Sequence, residues 1–143
     1  MVARRVDTSN EEFPIRIVSK PLNNLAEPET ILDPDTRQGE SNGIEVYEEW
    51  VVWGRESLST GDFELVVHNI ETGEHRLLDT EVEGSSFDLY AARIWGDRVV
   101  WTDSRARLRE HRLSTGGTRT VLQDGTLGPM WSLSLWENYA VWA

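Results

Sequence analysis

Cysteine is absent from the sequence, which excludes disulfides, thiolate nucleophiles and cysteine-based zinc sites and leaves the redox compartment open. Basic residues are scarce. Fourteen Lys and Arg stand against 25 Asp and Glu, a formal net charge of −11. Nucleic-acid binding draws its affinity from clustered Lys and Arg, so DNA, RNA and anionic membranes are set aside as partners. No uninterrupted apolar run approaches the ~18 residues of a membrane span. The charged start, Met1-Val2-Ala3-Arg4-Arg5-Val6-Asp7, has no apolar h-region behind it and does not read as a secretory signal. The chain reads as cytosolic, or as exported with its signal removed. Hydrophobic residues make up 38% and charged residues 27% of the chain, enough apolar material for a core.

What the sequence does have is a decamer written three times. Ile44-Glu45-Val46-Tyr47-Glu48-Glu49-Trp50-Val51-Val52-Trp53 is matched by 92–101, Ala92 to Trp101, and by 133–142, Leu133 to Trp142, 48 and then 41 residues further on. Each copy sets an aromatic residue before a polar two-residue break and closes on Trp after a strand-like run, so each predicts a β-hairpin. The first copy is followed by a strand over 63–70, the turn Glu71-Thr72-Gly73-Glu74 and a short strand over 75–78. The second is followed by a strand over 107–113, the turn Ser114-Thr115-Gly116-Gly117 and a strand over 118–122. Four antiparallel strands per repeat of ~40–50 residues is the pattern of a propeller blade. The fold class is all-β.

With these motifs, the chain resembles the TolB-like β-propellers. In that family a strand-turn-strand ends in an aromatic residue and a further strand finishes before a Thr-Gly turn, as Asn69-Ile70-Glu71-Thr72-Gly73 and Arg112-Leu113-Ser114-Thr115-Gly116 do here. The resemblance covers 41–143 well and 13–32 loosely. The family's Ser-Pro-Asp-Gly turn is replaced by Glu48-Glu49, Gly96-Asp97 and Glu137-Asn138, and far fewer blades are present than a ring needs.

The strand count suggests how the ring closes. Residues 1–12 read as a flexible N-terminal arm, 13–32 as the outer two strands of a composite blade, 41–80 and 88–124 as complete blades, and 129–143 as the inner two strands of a composite blade. Three blade equivalents fit a propeller of ~4–8 blades only when doubled. A two-fold homodimer would make six blades, each chain donating its N-terminal strands to the other's C-terminal hairpin and removing exposed sheet edges. The alternative is a second chain that supplies the missing blades, this one being a piece of a longer propeller.

Candidate sites are few. Trp53, Trp101 and Trp142 recur at one phase of the repeat, and Tyr47, Trp95 and Trp136 at another; both columns read as packing between blades. Trp50 and Trp131 fall outside them and are candidate exposed contacts. Arg105, Arg107 and Arg109 lie on one face of a strand by alternation and are a candidate dock for an acidic partner, set against a solvated face balanced by nearby Glu. His68 and His111 match each other across the repeat and lack HxH or HExxH spacing, so they read as repeat identity rather than metal ligands. Asp33-Pro34-Asp35 and Glu81-Val82-Glu83 lack a calcium-loop spacing and read as solvated loop charge. Asp103-Ser104 comes without a nucleophile elbow. No catalytic residue, metal or cofactor is assigned.

The reading that results is a non-catalytic protein-interaction or scaffold module, in keeping with the protein binding that the TolB-like resemblance implies. Two alternatives stand beside it: a carbohydrate-binding or carbohydrate-active propeller using Trp and carboxylates, and a structural subunit of a larger assembly.

Overall fold

The computed structural model describes residues 2–6, 15–21, 23, 26, 28–36, 43–57, 59–81, 92–103, 105–123 and 133–142. These form thirteen strands and no helix: β1 (Val2–Val6), β2 (Ile15–Ser19), β3 (Thr30–Thr36), β4 (Ile44–Tyr47), β5 (Trp50–Glu56), β6 (Phe63–Asn69), β7 (His75–Glu81), β8 (Arg93–Trp95), β9 (Arg98–Thr102), β10 (Arg107–Arg112), β11 (Thr118–Gln123), β12 (Leu133–Trp136) and β13 (Tyr139–Trp142). All pair antiparallel with their sequence neighbours, giving sheets β1-β2-β3, β4-β5-β6-β7, β8-β9-β10-β11 and β12-β13. The three decamers are the hairpins β4-β5, β8-β9 and β12-β13; Trp53 faces Ile44 and Trp142 faces Leu133 across the ladder, and in the second copy Val100, just before Trp101, faces Arg93.

The turns are built alike in the two four-stranded sheets. The first residue of each decamer's polar break takes a positive φ, 53° at Glu48, 55° at Gly96 and 47° at Glu137. The Thr-Gly turns close on Gly73 (φ 74°) and Gly116 (φ 69°), whose amides donate to Asn69 O and Arg112 O. A backbone bond ties together the two turns at one end of each sheet, Ile70 N to Glu49 O at 2.8 Å and Leu113 N to Asp97 O at 2.9 Å.

Strand alternation sends successive side chains to opposite faces, and here both faces are buried. Val51, Trp53 and Val66 cluster with Ile17 and Leu32 of the first sheet. Val52, Leu65 and Val67, from the other face of the same strands, cluster with Ala92, Ile94, Val99 and Trp101 of the third. Val100 and Leu108 turn onward to Leu133 of the last hairpin. The four sheets are thus stacked face to face in chain order. They approach most closely along their first strands, β4 to β8 and β8 to β12.

Two expectations are corrected. The segment 1–12, expected to be a loose arm, contains β1, which pairs with β2 from Val2↔Ser19 to Val6↔Ile15. Valines favour a pleated neighbour, and β2 would otherwise present an open inner edge. The acidic stretch Asp33-Pro34-Asp35 is not a solvated loop but the second half of β3, with Asp33 buried. A register shift between Ile15 and Ile17 supplies the irregularity that lets Pro34 sit in a strand.

Candidate functional site

A hydrogen bond joins successive sheets at the repeated Trp. The Trp53 indole N–H donates to Asp33 Oδ2 at 2.9 Å, and that of Trp101 to Asp79 Oδ2 at 2.8 Å. Each acceptor lies on the last strand of the preceding sheet, next to a β-bulge. The buried indole therefore meets its single donor requirement. Asp33 also accepts from Arg55 Nη1 at 2.8 and 2.9 Å, and Arg55 Nε bonds Glu64 Oε2 at 2.8 Å. Burial opposes the Arg55 charge, but these two carboxylates overcome it and raise its pKa further. In the third sheet the residue at this register is Leu122, opposite Leu108 as Asp79 is opposite Leu65. Sequence reasoning missed Asp33 and Asp79; the visible signal was Leu-Asp at the same phase of two outer strands, Leu32-Asp33 and Leu78-Asp79.

The candidate contact residues occupy different places. Trp50 packs on the core between the second and third sheets, and the Arg76 guanidinium covers its ring at 5.3 Å. It borders an open cleft of about 410 Å³ with Glu48, Glu49, Asp97 and Ser114. Arg76 Nη1 donates to Leu113 O at 2.6 Å, and Asp97 accepts from both Ser114 N and Ser114 Oγ, bonds that lower its pKa. The exposed aromatic contact expected at Trp50 is thus a half-buried ring under a cation. Trp131 lies outside the described residues, as do Ser104, Val82 and Glu83.

Alternation placed Arg107 and Arg109 on one face correctly, but that face is spoken for. Arg107 Nε donates to Asp103 Oδ2 at 2.7 Å and Arg109 Nη1 to the same oxygen at 3.2 Å, and Arg109 lies over the Trp101 ring. Burial disfavours the Asp103 charge, yet the Arg107 side-chain bond and the amides of Arg107 and Arg105 hold its pKa down. Arg105 remains exposed. The three do not make one free basic face.

His68 and His111 sit on separate sheets, as the repeat required. His68 is opposite His75 and His111 opposite Thr118, and His111 Nδ1 is 2.8 Å from Thr118 Oγ1. Burial pushes the pKa of both His68 and His111 below the usual imidazole value. Among the described residues no group of three or more His, Cys, Asp or Glu is placed to hold a metal ion.

The remaining feature is the last hairpin. Tyr47, Trp50 and Val52 of the second sheet pack against the third, with Tyr47 and Trp95 ring centroids 5.2 Å apart. The same repeat positions in the last hairpin are Trp136, Tyr139 and Val141, exposed at 56%, 64% and 66%. The Trp136 and Tyr139 rings stack on each other, and β13 has no second neighbour among the described residues. In the Trp column Trp53 and Trp101 are fully buried but Trp142 is 38% exposed, so the packing expected of Trp136 and Trp142 is not made. Aromatic side chains bury ~150–250 Å² each. At ~25 cal/mol per Å², covering this face would yield on the order of 5 kcal/mol.

No protein-family profile and no curated protein matches the chain. The last hairpin presents exposed aromatic rings and, among the described residues, an open strand edge, features that a neighbouring strand or apolar surface can cover.

Proposed function

We propose that the chain is a non-catalytic protein-interaction module built from TolB-like β-propeller blades, and that its last hairpin is the interaction surface. The observation that carries this reading is the exposure of Trp136, Tyr139 and Val141 at repeat positions that the second sheet buries against the third. The propeller reading is supported by the four-strand meanders, the face-to-face stacking and the approach of β4, β8 and β12, which would place first strands near a common axis. The sugar-binding alternative gains nothing from Trp50, whose ring carries Arg76.

Light scattering on a sizing column, over a dilution series, tests the proposal. The expected result is an association that the double substitution Trp136→Ser, Tyr139→Ser weakens at least tenfold without lowering the chain's own unfolding midpoint. A monodisperse monomer at every concentration would overturn the reading.

A further inference from the structure

The partner of the last hairpin can be named by comparing what each incomplete sheet lacks. The hairpin β12-β13 has the two inner strands of a repeat sheet, and β13 has an open edge. The first sheet has the two outer strands, β2 and β3. Ile17 pairs with Asp33 and Val18 with Ile31, just as Leu65 pairs with Asp79 and Val66 with Leu77. Both Asp33 and Asp79 receive an indole N–H from the following sheet. By register and by bonding, then, Val18 is the equivalent of Val66.

In the second sheet the strand beside Val66 places Trp53 opposite it, and in the third Trp101 stands opposite Arg109. Opposite Val18 stands Ala3 of β1. Thus β1 occupies the second-strand position of the first sheet without the Trp that position holds in every decamer. It also lacks the decamer's hairpin partner, being the edge of a three-stranded sheet.

We infer that β1 is a placeholder, and that β13 of a second copy of this chain displaces it, pairing antiparallel with β2 in the register Trp142↔Val18 and Val141↔Ser19. The composite sheet is then β12-β13 of one copy continued by β2-β3 of the other. Reciprocal exchange across a two-fold axis satisfies both copies. This inference rests on the proposed interaction role of the last hairpin and adds the occupant, the strand and the register.

Three observations favour a second copy over an unrelated protein. The β2-β3 pair already packs on the second sheet through Ile17 and Leu32, so exchange preserves an existing interface and extends it. In the exchanged form Trp136, Tyr139 and Val141 face the β4-β5 hairpin of the other copy, the equivalent of the face that covers Tyr47, Trp50 and Val52. The added strands also roof an open cleft of about 350 Å³ between the third sheet and the hairpin, lined in part by Glu110, Arg119, Leu122, Leu135 and Trp142. The opposing force is charge, since each copy carries −11. Added salt screens that repulsion and shifts the equilibrium toward the pair.

The absence of native cysteine makes the register directly testable in the full chain. Residues directly opposite in an antiparallel ladder have Cα atoms ~4.5–5.5 Å apart, within the span a disulfide bridges. On mild oxidation, Ser19→Cys with Val141→Cys is expected to give a covalent dimer on a non-reducing gel. Val2→Cys with Ser19→Cys joins β1 to β2 within one chain and is expected to hold the oxidised protein as a monomer that dimerises after reduction. Ser19→Cys with Ala140→Cys, one residue out of register, is expected to cross-link at least tenfold less. A dimer by light scattering that Val2–Ser19 oxidation leaves intact, or that cross-links equally in both registers, overturns the exchange while leaving an interaction role standing. A monomer under all conditions, with no cross-link, overturns both.

Discussion

The forward faces of the second sheet and of the last hairpin carry near-equivalent side chains in very different surroundings. Tyr47, Trp50 and Val52 lie against Ala92, Ile94, Val99 and Trp101, whereas Trp136, Tyr139 and Val141 are open. The same repeat therefore supplies both a core and a surface. Position in the stack decides which, because the apolar face of a repeat is stable only against a neighbouring repeat. The indole bonds sharpen the contrast. Trp53 and Trp101 reach carboxylates on the preceding sheet, while the third sheet offers Leu122 at the matching register.

The largest expected effect separates the buried and open members of one column. Trp101→Ala removes a fully buried ring together with its N–H bond to Asp79; large aromatic truncations of this kind cost about 3–5 kcal/mol. Trp142→Ala, measured dilute enough to keep the chain monomeric, is expected to cost less than about 1 kcal/mol, as for a surface residue. Urea unfolding followed by far-ultraviolet circular dichroism measures both. Equal losses would mean that the hairpin is packed as tightly as the sheets before it.

Next come the acceptors. Asp33→Ala leaves two groups unpaired, the Trp53 N–H and one side of Arg55. Breaking a buried pair from one side costs about 3–5 kcal/mol, and the retained Glu64 partner of Arg55 places the expectation near about 2–3 kcal/mol. Asp79→Ala strands the Trp101 N–H, the one side-chain donor shown on it, and is expected to cost about 1–2 kcal/mol. A reversed order in urea midpoints would break the claim that Asp33 serves two partners, Trp53 and Arg55, where Asp79 serves one indole.

How far the sequence carried this architecture can be judged from these same residues. The hairpins were legible because each decamer combines period-two apolar spacing with a polar break and a terminal Trp, all local features. The outer strands at 75–78 and 118–122 followed from the Thr-Gly turns. The Trp–Asp bonds were not legible, because Asp33 and Trp53 meet only when two sheets stack, and no local periodicity records that contact. Asp33 was misplaced for a related reason: beside Pro34 and Asp35 it has turn-like neighbours, and tertiary pairing with β2 overrode them. The strand β1 escaped because five residues with two adjacent arginines give too short a pattern. Arg107 and Arg109 were placed on the right face, but Asp103, which claims both, is brought beside them by the β9-β10 pairing.

A smaller effect comes from pH. His68 and His111 have folded pKa values below the ordinary 6.5, so the unfolded chain binds more protons than the folded one as the pH drops below that value. Stability is therefore present at neutral pH and is lost as the pH falls through ~6.5 toward the lower folded values. Asp97 and Asp103 have folded values below 3.8, and their contribution persists above the unfolded value and is lost only as the pH falls through the folded one. Unfolding midpoints are expected to decline in two stages on acidification. His68→Gln should shrink the first stage and leave the second unchanged; a first stage that survives the combined replacement of His68, His75 and His111, whose pKa values are all lowered by burial, would refute this assignment.

The smallest expected effect compares the three decamer turns themselves. Each puts its first residue at positive φ, and only the second copy has glycine there, with Glu48 and Glu137 in the others. A left-handed conformation costs a residue with a Cβ about 1–2 kcal/mol, while glycine costs about 0.4–1 kcal/mol through the greater freedom of the unfolded chain. The difference favours glycine by about 0.5 kcal/mol. Glu48→Gly is thus expected to raise the urea midpoint slightly, and Gly96→Ala to lower it by a similar amount. The two faces of the comparison meet again at Glu137: it lies in the open hairpin, so Glu137→Gly should match Glu48→Gly in stability measured on the monomer. A gain at Glu48 alone would mean that the turn of the last hairpin relaxes its φ when no neighbouring sheet holds it.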